Sequence, residues 1–391
     1  MIKTSIATKH TGDSFEAGAE AAKEALDKLE GSPSLLLVFS TFKNQDPQKI
    51  VEGVRSVAPQ EVPIAGGTAG WGVLHLKEEK DVTVNALSFE KTELHVDYAA
   101  EAEFGEDHQE GGRKFAKKFL KDGEPPKLLM VFMAGLGEII PDPFLAGIRE
   151  VTGDKTEIIG GNTGDDTEMK SGGYQFIGNK VLQKGVVGVG LWGNIDINLQ
   201  VDHGFDPLGL PKEVTRAHQN IIQEIDGKPA ISLYEDYFTK QEIMRKDFFG
   251  TLEGEGFFFP LGVLTPDRII ARYIMGANED GSLICGATVK EGAKVKVLQS
   301  QAERVKETAE KLGKEVKKHD PQCVLFISCA MRRMILIPDD EEEINVFRKN
   351  VGEDVPIIGF YSYGEFCIPE TEKENLVHHE TLTLASLKEN D

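Results

Sequence analysis

The stretch GFYSYGEF, residues 359 to 366, places two tyrosines between two glycines and a glutamate directly after the second glycine. It follows the apolar run VPII, which is typical of a buried strand. Tyr361, Tyr363 and Glu365 are spaced two residues apart, so in an extended segment their side chains would project to one side. Oriented hydroxyl groups and an acid in an apolar pocket are suited to binding a small ligand. We therefore predict ligand-binding roles for these three residues.

Two further side chains that could take part in chemistry, Cys329 and Arg332, lie at or just after the end of the apolar run CVLFISC. Arg332 could pair with Glu365 or clamp a ligand carboxylate, and the alternative is a buried ion pair that only fixes the turn. Cys329 could act as a nucleophile if Arg332 or Arg333 lowered the pKa of its thiol, although a cysteine on an apolar strand is more often inert packing. We assign Cys329 and Arg332 to the predicted ligand site.

Two glycine-rich turns could supply backbone donors to the same ligand. Both follow apolar runs with the spacing G-x-x-x-G, at residues 66–70 and 160–164. Such turns expose N–H groups at the carboxyl end of a sheet, where open α/β folds generally bind ligands. The alternative is a tight turn that the fold itself requires. The residues of these turns that we predict to bind ligand are Gly66, Gly67, Thr68, Gly161, Asn162, Thr163 and Asp165.

These turns belong to a unit that occurs three times along the chain. Each copy has an amphipathic helix, an apolar strand, a second helix with an aspartate at its predicted start, and a second strand that leads into the turn. Parallel strands joined by helices, with more strands after the turn, predict an α/β (α+β) fold of mixed sheets covered by helices. We expect the three loop tips to meet around a common hollow. The helix-start aspartates are Asp46, Asp142 and Asp339.

Residues 226 to 298 interrupt the repeats with a glycine-rich and aromatic sequence that predicts strands and hairpins. The 391 residues also exceed the usual size of a single core. We therefore predict two domains. Residues 1–225 would hold the first two copies, and residues 226–391 would hold the strand-rich insert and the third copy.

Composition excludes several classes of function. The formal charge of -21 opposes contact with nucleic acid or anionic lipid. No apolar run approaches the ~20 residues that cross a bilayer, so membrane insertion is not expected. Four cysteines without a CxxC pair argue against zinc and against a disulfide framework, and the N-terminus lacks signal-peptide features. We expect a cytoplasmic protein with no metal site and no catalytic centre.

The sequence resembles the FIST sensory family, which pairs an N-terminal with a C-terminal FIST domain. The resemblance covers roughly residues 30 to 385. It implies a non-enzymatic signal-input module that binds a small ligand, amino acids among the suggestions, and acts through a separate output protein. Gly67 and Trp71 stand where relatives often carry cysteine and glutamate. We expect no output segment among these residues, so the output would come from a partner. The segments that carry the resemblance are HGFDPLGLPKEVTRAHQNIIQEIDGKPAISLYEDYF, FFPLGV, EDGSLICGATVKEGAKV, SCAMRR, GFYSYGEF and HHETLTL.

Two other functions stay open. Some relatives look like haem proteins that respond to nitric oxide, so a haem-binding gas sensor is the first alternative. His75, His203 and His218 are isolated in the sequence, and His203, beside the predicted domain junction, is the first to test as a haem ligand. The second alternative is an enzyme with Cys329 as its nucleophile, although no cysteine and histidine arrangement supports it.

Overall fold

The computed structural model describes residues 1–43, 45–74, 81–245, 247–250, 254–339, 342–368 and 377–390. The predicted mixed α/β fold is confirmed, because strands of the described residues form four sheets and helices cover the repeated ones. Each copy also has a leading strand before its first helix, which the apolar pattern alone does not predict. The first copy consists of β1 (Lys3–His10), α1 (Ser14–Lys28), β2 (Leu35–Ser40), α2 (Pro47–Val57), β3 (Ile64–Thr68) and β4 (Asp81–Ser88).

The second copy repeats this order and adds a short hairpin after its turn. A single helical turn also precedes its first long helix, and a 3-10 turn at Gly153–Lys155 follows its second. Its elements are β5 (Thr92–Ala100), α3 (Glu101–Phe104), α4 (His108–Lys117), β6 (Leu128–Met133), α5 (Pro141–Thr152), β7 (Glu157–Asn162), β8 (Gln175–Ile177), β9 (Lys180–Leu182) and β10 (Gly185–Gly193).

The third copy is split, because the strand-rich segment is inserted between its leading strand β11 (Ile195–Asp202) and its first helix. We call residues 206–299 the insert. The insert holds β12 (Asp206–His218), β13 (Ile221–Ile225), β14 (Lys228–Pro229), α6 (Lys240–Ile243), β15 (Leu261–Leu264), β16 (Ile269–Arg272), β17 (Ile274–Ala277), β18 (Leu283–Cys285) and β19 (Lys294–Gln299). The third copy continues with α7 (Ala302–Lys318), β20 (Cys323–Cys329), α8 (Ala330–Ile335), α9 (Glu342–Val351), β21 (Ile357–Ser362), β22 (Glu365–Ile368) and β23 (Leu382–Glu389).

The three repeat sheets share one plan, in the orders β1-β4-β2-β3, β5-β10-β6-β7 and β11-β23-β20-β21. The chain leaves its own sheet after each turn and pairs with a neighbouring copy. Thus β8 of the second copy pairs with β3 of the first, and β22 of the third pairs with β7 of the second. An isolated bridge between Val73 and Phe360 joins the first copy to the third in the same way. These exchanges close a ring of three copies.

The inner faces of the three sheets form one buried core on the axis of this ring. Phe39, Phe132 and Phe360 meet there with ring centroids 4.7 to 5.9 Å apart. Each buried aromatic side chain contributes about 1.5–3 kcal/mol through removal of its surface from water. Helix pairs α1/α2, α4/α5 and α7/α9 cover the outer faces.

The insert forms its own sheet, in the order β16-β15-β19-β12-β13-β18-β17 with β14 paired to β13. Its two edge strands, β16 and β17, are separated along the chain only by Tyr273. The two edges therefore meet at Tyr273, beside the ring of repeats. The domain boundary at residues 225 and 226 stays a prediction, and strand pairing crosses it, since β11 pairs with β23 and β7 with β22.

Within the described ranges, no helix has both the length and the apolar character that crossing a bilayer requires.

Candidate functional site

The three loop tips meet on the axis, but they leave no hollow between them. A side chain built on Gly164 would lie 2.6 Å from the Cα of Gly70 and 2.8 Å from the ring of Tyr363. The expectation of a common hollow is therefore wrong, because the tips themselves fill that space. Backbone N–H groups link the tips cyclically, from Gly70 to Tyr361 O (2.7 Å), from Gly164 to Thr68 O (3.1 Å) and from Tyr363 to Asn162 O (3.1 Å).

A cavity of about 1520 Å³ lies beside this ring, between the insert and the loops of the second and third copies. The second copy contributes residues from 136 to 146 and from 162 to 169, and the third contributes the start of α8 and the segment before β23. The first copy contributes Trp71. The volume exceeds the ~300–1000 Å³ of most small-molecule sites. Apolar walls with a few polar groups are the usual make-up of such sites.

Three of the twelve predicted ligand-binding residues line the cavity, namely Asn162, Cys329 and Tyr363. The Tyr363 hydroxyl donates to the carboxylate of Asp165 and accepts from the Thr167 N–H at 2.9 Å. Burial and the hydrogen bond to Asp165 raise the pKa of the Tyr363 phenol, so it stays a neutral hydrogen-bonding group. Tyr363 thus offers a fixed aromatic surface to the cavity.

Asp165 is buried and shapes the loop that reaches the cavity. Its carboxylate accepts from the backbone N–H groups of Met169 (2.9 Å), Lys170 (2.8 Å) and Ser171 (2.7 Å). Met169 and Thr167 from this loop line the cavity. The structure therefore gives Asp165 a positioning role rather than a place on the cavity wall.

The three glycines predicted to bind ligand lie where two backbone segments approach each other closely. Gly66 has φ +139°, and a Cβ there would lie 1.9 Å from Val38 O on the parallel strand. Gly67 packs against Tyr174 O in the same way, and Gly161 packs against Gly364 O. These three glycines lie in strands away from the cavity, where close approach of the backbone leaves no room for a side chain.

Thr68 and Thr163 connect loops rather than line the cavity. The Thr68 hydroxyl donates to Gly164 O at 2.7 Å, and the Thr163 hydroxyl donates to Gly172 O at 2.5 Å. Both side chains are buried, so their hydrogen bonds satisfy polar groups within the turn.

The predicted pairing of Arg332 with Glu365 is wrong. Arg332 is fully buried and pairs with Glu343 on the first turn of α9, with its Nη2 2.7 Å from the carboxylate. It also donates to His203 O at 2.5 Å. Because its donors are engaged inside the protein, Arg332 does not reach the cavity, and the alternative of a structural ion pair describes it better.

Tyr361, Tyr363 and Glu365 do not project to one side, because the strand that would align them is broken. The first strand ends at Ser362, and Glu365 begins β22, which pairs in another sheet. The Tyr361 ring is buried, 5.0 Å from the guanidinium of Arg333. Of these three side chains, only Tyr363 therefore faces the cavity.

The surroundings of Cys329 oppose the formation of a thiolate. Burial, followed by the nearby carboxyls of Glu365 and Glu380, raises the pKa of this thiol well above its usual value. A nucleophilic role would require Arg332 or Arg333 to lower this pKa, and the shift has the opposite direction. A neutral, buried thiol on the cavity wall suits packing better than nucleophilic attack.

Sequence reasoning missed Asp142 and Arg272. Asp142 was predicted to cap α5, but that helix begins at Pro141 and Ile140 is its N-cap. The Asp142 carboxylate instead lines the cavity and accepts from the Thr288 N–H of the insert at 2.9 Å. Burial raises its pKa, and the nearby guanidinium of Arg272 on the insert opposes that rise.

Other missed residues on the cavity wall carry buried polar atoms without partners. Arg272 Nε, Tyr273 Oη, His379 Nδ1 and both carboxylate oxygens of Glu380 have no hydrogen-bond partner among the described residues. Buried polar groups in proteins are nearly always paired, so such a cluster needs an explanation. For His379 and Glu380, the signal in the sequence was the polar run HHET directly before the apolar strand β23.

Of the three histidines named above as possible haem ligands, the structure describes His203 and His218. His203 uses both ring nitrogens, accepting from Phe205 N–H (2.8 Å) and lying 3.1 Å from Ile269 O, and His218 is exposed in the insert. His75 lies outside the described residues. On the cavity wall stands His379, whose Nδ1 is shielded from solvent and whose Nε2 lies against Gly286. An axial ligand needs a ring nitrogen that faces open space.

Across the described ranges there is also no group of three or more histidine, cysteine, aspartate or glutamate side chains placed to hold a metal ion.

Comparison with known proteins agrees with the resemblance in the sequence. An uncharacterized protein of Methanocaldococcus jannaschii is 25% identical over 395 residues, which is 90% of this chain and 72% of that protein. Among solved structures, cyanuric acid hydrolase from A. caulinodans aligns with 100% of this chain and 99% of its own. The TM-score of this alignment is 0.35, and the sequence identity is 10%. The profile of the FIST N domain matches residues 1–79 and 34–228, and that of the FIST C domain matches residues 230–368. This chain therefore belongs to the FIST family, with a FIST N domain followed by a FIST C domain.

Proposed function

We propose that this FIST protein is a non-enzymatic sensor that binds a small metabolite in the cavity beside the ring of loop tips. The observation that carries the proposal is the cavity of about 1520 Å³, whose wall holds buried polar groups without partners. Bound ligand would satisfy those groups. FIST domains are sensory modules of signal transduction, which agrees with such a role.

The position of the cavity suggests how binding becomes a signal. Its walls belong to the insert on one side and to the repeat loops on the other, so a ligand would contact both. The insert is held to the ring by contacts such as Asp142 to Thr288 N–H and Arg272 to Val377 O. A ligand that binds one arrangement of these parts more tightly shifts the population toward it. A separate partner protein would read that change, and the four free cysteines suit the cytoplasm.

The test is a search for a ligand with a matched pair of variants. Purified protein is screened by native mass spectrometry for a retained small molecule, and by thermal unfolding against a library of amino acids and related metabolites. A ligand at a hundred times its Kd should stabilise the protein by about 2.7 kcal/mol. Absence of any ligand with micromolar affinity would count against the proposal.

Met331 and Met244 provide the matched variants. Met331 lines the cavity, so Met331→Trp should fill part of it and abolish the ligand-induced rise in Tm. Met244 is 46% exposed and does not line the cavity, so Met244→Trp should leave the rise unchanged. Equal responses of the two variants would place the ligand elsewhere.

A further inference from the structure

We propose that Glu380 anchors the ligand and that the ligand is an organic cation with N–H donors, an ammonium or guanidinium compound. This inference rests on the proposed function and assigns the chemical class of the ligand. It starts from Glu380 itself, a buried carboxyl on the cavity wall.

Glu380 is fully buried, and neither of its carboxylate oxygens has a hydrogen-bond partner among the described residues. Nearby Glu365 is equally buried, yet it accepts from Ser362 Oγ at 2.7 Å and from Thr381. The contrast shows that this region of the chain satisfies a buried acid where the acid is structural. An unpaired buried carboxyl costs several kcal/mol, roughly, unless something else pairs with it.

The backbone of Glu380 is also in an unfavourable conformation. Its φ of +58° lies in the left-handed region, which glycine adopts freely and a glutamate adopts at a cost of roughly 1 kcal/mol or more. If this position only formed a turn before β23, a glycine would fit it better than a glutamate. Residues held in such conformations cluster at binding sites, so the strain points to a use for this side chain.

Within the described ranges, no cationic side chain is bonded to the Glu380 carboxylate. Arg332 is near, and its Nη1 reaches Glu380 O at 3.4 Å, but its charge is paired with Glu343. The cations Arg268, Arg272 and Lys290 line the cavity from the insert, where Arg272 faces Asp142. The charged and titratable groups that face Glu380, or stand beside it in the chain, are Glu365, Cys329, Tyr234, Tyr273, Arg332 and His379.

Without a paired cation, the surroundings of Glu380 favour the protonated form of its carboxyl. Burial and the neighbouring Glu365 raise the pKa of the Glu380 carboxyl well above its usual value. Because no described residue forms a hydrogen bond with the carboxyl, rotation of its side-chain bonds can turn it toward the cavity that it lines. The methionines Met331 and Met334 on the same wall suit the alkyl part of such a ligand.

Binding of a cation should therefore release a proton from Glu380. The affinity should rise with pH, by up to about tenfold per unit, for as long as the free protein keeps Glu380 protonated. A neutral ligand that accepted a hydrogen bond from the protonated carboxyl would show the opposite trend. The sign of the pH dependence therefore separates the two modes of binding.

The experiment is calorimetric titration of the full chain with n-butylammonium, putrescine and agmatine, and with n-butanol and n-butyrate as neutral and anionic controls of similar size. Titrations at several pH values from about 6 to about 9 measure how the affinity changes with pH. We expect at least one cation to bind ten times more tightly than either control, with release of a proton. The nearly isosteric Glu380→Gln should weaken that cation at least tenfold and remove the pH dependence.

Two more variants keep the result interpretable. Glu380→Asp retains the charge and should keep part of the affinity, whereas Glu279→Gln, at an exposed position of the insert, should change nothing. Failure of all three cations to bind, or full affinity in Glu380→Gln, overturns the inference. If the cavity binds another ligand that Met331→Trp blocks and Glu380→Gln does not, the proposed function stands while this inference fails.

Discussion

Glu365 is a buried acid whose hydrogen bonds do not compensate for the loss of water. Ser362 and Thr381 donate to it, yet burial raises its pKa from 4.5 to about 7. Because the folded pKa is above the unfolded value, the folded protein keeps a proton that the unfolded chain loses between these values. The contribution of Glu365 to stability is therefore complete below about pH 4.5 and is lost as the pH rises through about 7.

The variant Glu365→Gln should remove this titration while it keeps the shape of the side chain. Relative to wild type, its free energy of unfolding should increase between about pH 4.5 and about pH 7, by on the order of 3 kcal/mol, and then stay level. Urea unfolding at a series of pH values measures the difference. The exposed control Glu279→Gln should show no trend. A difference that is constant with pH would mean that folding does not raise the pKa of Glu365.

The residue types of the site could be predicted from the sequence, but their partners could not. A buried arginine predicts an acidic partner, and Arg332 has one, though it is Glu343 rather than Glu365. The sequence could not decide between them, because the choice depends on how the first turn of α9 packs behind β20. The same limit hid His379 and Glu380, since a polar pair before an apolar strand is equally typical of a surface turn.

Each pair of parallel strands in the repeats depends on one glycine, and these glycines occupy equivalent positions. A Cβ at Gly66, Gly160 or Gly359 would lie 1.9, 1.9 or 1.8 Å from a carbonyl oxygen of the preceding strand. Gly359 also has φ +141°, a conformation that other residues rarely adopt. Glycine at these positions therefore allows the two parallel strands of each copy to lie at their observed spacing.

We expect Gly359→Ala to lower the free energy of unfolding by about 3 kcal/mol or more, because the methyl group must push β20 and β21 apart. Chemical denaturation of the purified variant measures the loss. Gly12→Ala is the matched control, since Gly12 has no neighbour within 4 Å and no positive φ. It should be neutral or slightly stabilising. A loss below about 1 kcal/mol in Gly359→Ala would show that the strands can separate easily.

The repeated unit and its order of helices and strands could be predicted because they follow from local periodicity and spacing. Asp46 caps α2 as predicted, with its carboxylate accepting from Gln48 and Lys49 N–H. The exchange of β8 and β22 between copies could not be predicted, because partners far apart in the chain are chosen by the packing of whole sheets.

The interlocked strands imply that the three copies fold together, even though the family divides the chain into FIST N and FIST C domains. Strand β11 has its partner β23 beyond residue 380, and β7 has its partner β22 beyond residue 360. The axial core likewise draws Phe360 from the third copy against Phe39 and Phe132. Cutting at the predicted boundary would expose these apolar inner faces to water.

We therefore expect the fragment of residues 1–225 to lack a cooperative unfolding transition, while the full chain unfolds in a single step. Both tryptophans, Trp71 and Trp192, lie in this fragment, so their fluorescence and the circular dichroism report on it directly. Adding the fragment of residues 226–391 should restore the transition, because β22 and β23 can then pair with β7 and β11. A monomeric 1–225 fragment that unfolds cooperatively by itself would show that the ring is dispensable. The cavity beside it would then be an interface between two independent domains, and a ligand there would act by docking them.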